Sequence, residues 1–483
     1  MDAIWTVRGN NVNWMDTARG AYGRSPRFVR NAVRPFLAMV PTRLKFGKTY
    51  QKWRERIAHA AQDPAFAAEQ HQASLRKLLA KAHAGSPYYR DMIDAAFGPG
   101  FSADAIALDD LRRLPIQDKA ALRLAGPSAL AVPVSQVDVG ETSGSNSEKP
   151  FTFYLDKDRS AREMAFVYDA WSSVGFDENT PRACLRGFGL DPNGINIHDW
   201  DPALRELRLS VFPMTKEDAA IYLDLIDERG VRYLYGYGSA IELFCRLMRT
   251  IGRTPKLPIL GILPISEPLF PHQRVFIRQV LGDVGFACFY GLSEKVLFAT
   301  EVQGLEGTYD FNPLYGLAEL VDAQGNPVTV PGQEGRLVGT GFLSTDMPFI
   351  RYDTGDLARL VALPSPANGQ RLRVDALTPR RKPGYLIAKD GSRVVTVDLS
   401  PESEIYFSGI SEFQFYQDTP GEVVFRYIVG EGGSAVDADR IAGNLQARSH
   451  GRLSYSTEPV TQIASGRSGK RAFIDQRLDI SLY

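Results

Sequence analysis

The chain has 483 residues, 44% hydrophobic and 23% charged, which excludes global disorder and leaves room for more than one domain. Basic and acidic residues number 56 each, so the formal net charge is zero and gives no electrostatic case for nucleic-acid binding. The three cysteines, Cys184, Cys245 and Cys288, are odd in number and widely spaced. They match neither a disulfide framework nor a metal site, and a reducing cytoplasm is the expected compartment.

No apolar run reaches the roughly 18 residues needed to cross a bilayer. The opening MDAIWTVRGNNVNWMD lacks the charged and apolar blocks of a secretory signal. From Arg24 to Arg56 the sequence is basic, with Arg27, Arg30, Arg34, Arg43, Lys45, Lys48, Lys52 and Arg54 among apolar residues. This region, residues 1–60, has two readings: a surface for weak contact with an anionic membrane, or an arm packed on its own domain. Pro35 and Pro41 would interrupt any long helix there.

Residues 51–98 read as helical, with a break at Gly85 and Pro87, and residues 107–125 as a second short helical region. From 181 to 291 the pattern alternates. The strand RLSVFPM precedes a helix with a Thr215/Asp218 capping box and an end at Gly230. The strand VRYLYGY follows. A Ser239/Glu242 capping box then opens a helix running to Gly252. Next come the strand LPILGILPI, a helix over PHQRVFIRQVL ending at Gly282, and the strand VGFACFYG. Alternation of this kind predicts βαβ units and a parallel sheet, with ligands beyond the carboxyl ends of its strands. The loops after Tyr237, Ile265 and Tyr290 are therefore the candidates. Residues 303–360 read as β-rich, with turns at Gly304, Gly307, Gly325 and Gly332. TPRRKPG reads as a hinge before a last domain of roughly 100 residues. The expected fold is α/β: a large N-terminal domain (61–380) with βαβ-type sheets and a β-rich segment, and a small mobile α+β C-terminal domain (381–483).

Four short segments could carry chemistry, each weak alone. TSGSNSEKP offers Thr142, Ser143, Gly144 and Ser145 as small donors for phosphate oxygens, with Lys149 as a compact charge. FYGLSEK sets Tyr290 at a strand end, where a ring can stack, and Glu294 within reach of phosphate-bound Mg²⁺. RYDTGDL supplies Asp356, which can accept from adjacent ribose hydroxyls. SGRSGKRAF carries Lys470 behind a glycine-flanked loop. The six histidines are scattered and read as structural or solvated. There is no Ser-His-Asp or Cys-His arrangement.

Together, in this order and spacing, these segments resemble the adenylate-forming superfamily of acyl-CoA synthetases, peptide-synthetase adenylation domains and luciferases. HAGSPYYRDM, YLYGYGSAIELF and ISEPLFPHQRVFIRQVLG are most similar to the phenylacetate–CoA ligase branch, including its CapK-like and coenzyme-F synthetase-like subgroup. The resemblance implies that Thr142, Ser143, Gly144, Ser145 and Lys149 hold the ATP triphosphate. It implies that Ser266, Glu267 and Pro268 border the adenine, and that Phe289, Tyr290 and Gly291 form its platform. Glu294 would bind Mg²⁺, Asp356 the ribose, Arg380 or Arg381 a phosphate, and Lys470 the carboxylate and α-phosphate. Two departures stand out: Asn146-Ser147-Glu148 replaces the family's threonine-glycine pair, and Gly384 sits where the hinge aspartate is expected.

The acyl pocket is expected beside the platform, at Tyr235, Tyr237, Gly238 and Ser239, with Phe188 and Ile265 as weaker candidates. Its aromatic walls suggest an aryl or flat apolar acid, with Tyr235 and Tyr237 reading equally as core residues, and no obvious buried cation for an amino-acid carboxylate or aspartate for an amine is evident. The implied activity is ATP-dependent activation of an aryl or small organic acid as an acyl-AMP, with transfer to coenzyme A. Alternatives are transfer to an amine, hydroxyl or carrier protein, and a non-catalytic scaffold acting through the basic N-terminal region.

Overall fold

The computed structural model describes residues 46–141, 151–186, 196–211, 214–378, 385–395, 410–429, 437–449, 451–463 and 474–479. Three helices come first: α1 (Gly47–Gln62), α2 (Pro64–Gly85) and α3 (Pro87–Phe97). Asp63 and Ser86 cap α2 and α3, each followed by proline at the first helical position, which explains the breaks. α1 buries Tyr50, Ile57 and Ala60. Its Arg54 reaches Asp169 at 2.9 Å, and its Tyr50 bonds Glu178. The described part of the basic segment therefore packs on the chain itself; residues 24–45 lie outside the described residues.

After α4 (Lys119–Ala125), a hairpin of β1 (Val137–Glu141) and β2 (Thr152–Asp156) leads into α5 (Arg159–Ser172). A six-stranded sheet follows: β3 (Arg182–Leu185), β4 (His198–Asp201), β5 (Glu206–Leu209), β6 (Tyr233–Gly236), β7 (Gly261–Pro264) and β8 (Gly285–Phe286). Its order is β4-β5-β3-β6-β7-β8, parallel except for the β4–β5 pair. Helices α6 (Lys216–Arg229), α7 (Gly238–Ile251) and α8 (Pro271–Leu281) connect its parallel strands. α6 has the expected Thr215/Asp218 capping box and ends on a left-handed Gly230. Strands β6 and β7 are buried along their whole length, as parallel strands covered by helices must be.

The next seven strands form an antiparallel sheet: β9 (Phe289–Gly291), β10 (Phe298–Glu301), β11 (Tyr309–Phe311), β12 (Gly316–Val321), β13 (Glu334–Gly341), β14 (Tyr352–Ala362) and β15 (Arg373–Thr378). Its order is β12-β13-β14-β15-β11-β10-β9. The expected single strand VGFACFYG is thus two: Gly285–Phe286 closes the parallel sheet, and Phe289–Gly291 opens the antiparallel one. Tyr290 belongs to the second sheet.

Towards the C-terminus, β16 (Tyr385–Ile387) pairs with β17 (Arg393–Val395). A mixed four-stranded sheet contains β18 (Ile410–Thr419), β19 (Glu422–Val429), β20 (Ser454–Pro459) and β21 (Ile474–Gln476), with α9 (Ala438–Arg448) between β19 and β20. Phe413, Phe415, Phe425, Ile441 and Leu445 make a hydrophobic cluster of their own here. Among the described residues, no helix is long and apolar enough to cross a membrane.

Candidate active site

The carboxyl ends of the central parallel strands are level. Leu185 pairs with Gly236, and Gly236 with Pro264. A Cβ on Gly236 would lie 2.1 Å from the Leu185 carbonyl oxygen, so only glycine lets the strands approach this closely. The Tyr237 N–H then donates to Leu185 at 3.1 Å, and the Ile265 N–H to Gly236 at 2.9 Å. Ser266 follows with φ +65, a left-handed conformation unfavourable for a residue with a Cβ. The turn carries Glu267 across to α7, where its carboxylate accepts the Ser239 N–H at 3.0 Å. The expected Ser239/Glu242 capping box is therefore not formed. α7 begins at Gly238, its first turn is served by Glu267, and Glu242 instead bonds Arg246 and Gln273.

Tyr235, Tyr237, Gly238 and Ser239 all lie at this edge and are buried. The Ser239 hydroxyl has no hydrogen-bond partner among the described residues. The sequence reading missed one neighbour. Arg186, the first residue past β3, is a buried cation whose Nη1 donates to the Tyr235 hydroxyl at 3.1 Å. The expectation of no buried cation around the pocket is therefore corrected. Its signal was a basic residue at the carboxyl end of a parallel strand. Phe188 lies outside the described residues.

The second half of the site stands on the antiparallel sheet. Tyr290 on β9 donates its hydroxyl to Asp356 on β14 at 2.6 Å, and both residues are buried. These strands are four steps apart in the sheet order, about 19 Å if the sheet were flat. The contact therefore requires the sheet to curl. Burial foremost, then the Asp356 charge, pushes the Tyr290 hydroxyl well above its ordinary pKa, so it stays protonated and donates. Phe289 stacks on Phe298, and Gly291 is exposed at the strand end.

Glu294 is also buried and accepts the Tyr352 hydroxyl at 2.8 Å. Tyr352 and Asp356 are both buried on β14, on either side of a bulge in its pairing with β13, where Gly355 takes φ +73. Lys119, at the start of α4, comes within 3.5 Å of Glu294, a contact between segments that no local pattern signals.

Magnesium is usually held by one or two carboxylates together with substrate phosphates. The single buried Glu294 carboxylate suits that mode. Among the described residues, no group of three metal-ligating side chains offers an all-protein cage.

Lys295 and Arg351 also have positive φ, +58 and +48. Lys295 ends the FYGLSEK segment, Arg351 opens RYDTGDL and Ser266 lies in the ISEP loop; backbone strain of this sort collects at functional sites, and Arg205, Gln370 and Ala376 share it elsewhere. Buried ion pairs hold both residues: Lys295 with Glu163 at 3.1 Å, and Arg351 with Glu319 at 3.1 Å. Thr142, Ser143, Gly144, Ser145, Lys149, Arg380, Arg381, Gly384 and Lys470 lie outside the described residues.

No protein-family model matches the chain. It is 22% identical to protein CapK of Staphylococcus aureus over 345 residues, covering 68% of this chain and 72% of that protein. It is 27% identical to a phenylacetate-coenzyme A ligase of Thermus thermophilus over 297 residues, 59% of this chain and 64% of that one. A solved 2-hydroxyisobutyryl-CoA ligase, in complex with its acyl-AMP and CoA, shares the fold with a TM-score of 0.53 at 19% identity. That match covers 86% of this chain and 91% of the other. The chain is thus similar in sequence to the phenylacetate-coenzyme A ligases and to CapK, and it shares its fold with a CoA ligase.

Proposed function

We propose that the chain joins a carboxylic acid, of the aryl or small organic class, to AMP and passes the acyl group to coenzyme A. The observation that carries this reading is the pairing of Tyr290 with Asp356 and of Glu294 with Tyr352, which joins the FYGLSEK and RYDTGDL segments through buried side chains. A carboxylate is a poor electrophile; adenylation gives it a good leaving group. Asp356 accepts the ribose hydroxyls, and Phe289, Tyr290 and Gly291 flank the base on one side. Ser266, Glu267 and Pro268 border it on the other. Thr142, Ser143, Gly144, Ser145 and Lys149 cradle the triphosphate, and Arg380 or Arg381 contacts a phosphate. Glu294 would hold Mg²⁺, which would supply neutralising charge at the phosphates.

The acid enters at the parallel-strand edge beside Tyr235, Tyr237, Gly238 and Ser239. Lys470, on a small C-terminal domain that begins near residue 381 and moves on the hinge, meets the carboxylate and the α-phosphate. Charge concentrates there in the transition state, and a fixed cation stabilises it most. Positioning does the rest, since in-line displacement needs no covalent help from the protein. The reaction belongs in a reducing cytoplasm, where the three buried thiols stay free.

The likeness to CapK and the altered phosphate-loop and hinge segments favour one second reading: the same adenylation with an amine, hydroxyl or carrier protein as acceptor. Acid-dependent AMP release separates the two. Release that consumes CoA supports the first. Release that hydroxylamine accelerates and CoA leaves untouched supports the second. A protein that does not bind ATP, but binds anionic vesicles until residues 1–60 are deleted, would instead be a scaffold.

A further inference from the structure

We propose that Arg186 reads a second carboxylate on the acid, so that the preferred substrate is a dicarboxylic acid activated at one end. This inference rests on the adenylation reading above and narrows it.

Arg186 stands one residue beyond β3, at the edge where Tyr237 and Ile265 begin their loops. It is 4% exposed. Its guanidinium carbon is 5.7 Å from the ring centroids of both Tyr235 and Tyr237. One N–H is used on the Tyr235 hydroxyl, and Nε has no hydrogen-bond partner among the described residues.

Among the described residues, the neighbouring carboxylates are taken by other arginines. Arg182 pairs with Glu206 at 2.8 Å. Arg208 pairs with Asp201 at 2.6 Å and with Glu206 at 3.3 Å. These two carboxylates serve those two arginines. No described carboxylate forms an ion pair with Arg186, although its neighbours Arg182 and Arg208 are both matched. A buried cation whose partners among the described residues are a phenol, two ring faces and the more distant Glu206 charge is costly unless an anion joins it. The Ser239 hydroxyl, two residues past Tyr237 and 4% exposed, is a second donor without a partner among the described residues.

A monocarboxylic acid cannot supply that anion, because its one carboxylate must meet the α-phosphate. A diacid supplies both groups. The carboxylate at Arg186 stays ionised and unreacted, while the other attacks the α-phosphorus. Pyrophosphate leaves, and the acyl-AMP keeps its distal carboxylate on the guanidinium.

Pyrophosphate exchange with matched acids tests this: glutarate against butyrate, and 4-carboxyphenylacetate against phenylacetate. The wild-type protein should favour the diacid of at least one pair in kcat/KM by roughly 10- to 100-fold, the scale of a charge-assisted hydrogen-bonded pair. Arg186→Met should abolish that preference, lowering kcat/KM for the diacid more than for the monoacid with the KM for ATP unchanged, and Arg186→Lys should restore part of it. Thermal melts of both variants check folding. Wild-type exchange with monoacids as fast as with their diacids overturns the inference, even if neither variant folds. So does an Arg186→Met variant that raises the KM for ATP and keeps the acid preference, since Arg186 would then be reading the nucleotide. Exchange with no acid, together with absence of ATP binding, overturns the adenylation reading itself.

Discussion

Asp356→Ala separates the structural from the functional work of one carboxylate. Asp356 is 4% exposed and accepts the Tyr290 hydroxyl at 2.6 Å. Removing it strands a buried donor, which costs about 1–3 kcal/mol. If the same carboxylate accepts the ribose hydroxyls, two charge-assisted bonds are lost as well. Allowing for water replacing them, the loss is about 3 kcal/mol, or roughly 100-fold in nucleotide affinity. Asp356→Asn keeps an acceptor for Tyr290 and should be near wild type in stability while raising the KM for ATP roughly 10-fold. Urea denaturation and the KM for ATP in pyrophosphate exchange measure the two effects. If Asp356→Ala is destabilised but its KM for ATP stays within about twofold of wild type, Asp356 serves only Tyr290 and the ribose assignment is wrong.

Three further outcomes follow from the geometry. Gly236→Ala drives a Cβ against the Leu185 carbonyl oxygen; it should cost ~1–3 kcal/mol and raise the KM for the acid more than that for ATP. His71 is buried, its neutral ring donating from Nδ1 to the Pro313 carbonyl at 2.7 Å, and burial lowers its pKa to about 4. The unfolded chain binds a proton there below about pH 6.5 and the folded one does not, so stability present above that pH is lost as pH falls towards 4, by roughly 3 kcal/mol. His71→Phe should flatten that part of the urea midpoint-versus-pH curve, and an unchanged slope would refute the assignment. Burial pushes the Cys245 and Cys288 thiols up to about 12, and Cys184 is buried too. A disulfide reagent at pH 8 should label none of the three until the protein is unfolded.

Much of the parallel sheet was legible because its signals are local. Thr215 with Asp218, Gly230 and Gly252 mark helix ends by capping chemistry, and Gly304, Gly307, Gly325 and Gly332 mark turns by their positive φ. The division of VGFACFYG between two sheets was not legible, because two short apolar strands separated by Ala287 and Cys288 have the periodicity of one. The Ser239/Glu242 box failed for a related reason. Its pattern is local, but the group that serves the Ser239 N–H is Glu267, 28 residues away in sequence. Within the site, Tyr290, Glu294 and Asp356 were found through their segments, yet their mutual contacts depend on the curl of the sheet. Lys119 reaches Glu294 only in the folded chain. Arg186 could have been marked by its place after a parallel strand; that no described carboxylate pairs with it shows only once Glu206 and Asp201 are seen to pair with other arginines.

The most direct measurement is the mass of what the protein makes. Purified protein is incubated with ATP, Mg²⁺ and a mixture of carboxylic acids, then denatured, and its bound nucleotides are identified by mass spectrometry. The account predicts an acyl-adenylate, formed with one pyrophosphate per molecule, whose acyl mass names the acid. Recovery of ATP alone, with no pyrophosphate released in the presence of any acid, would contradict it.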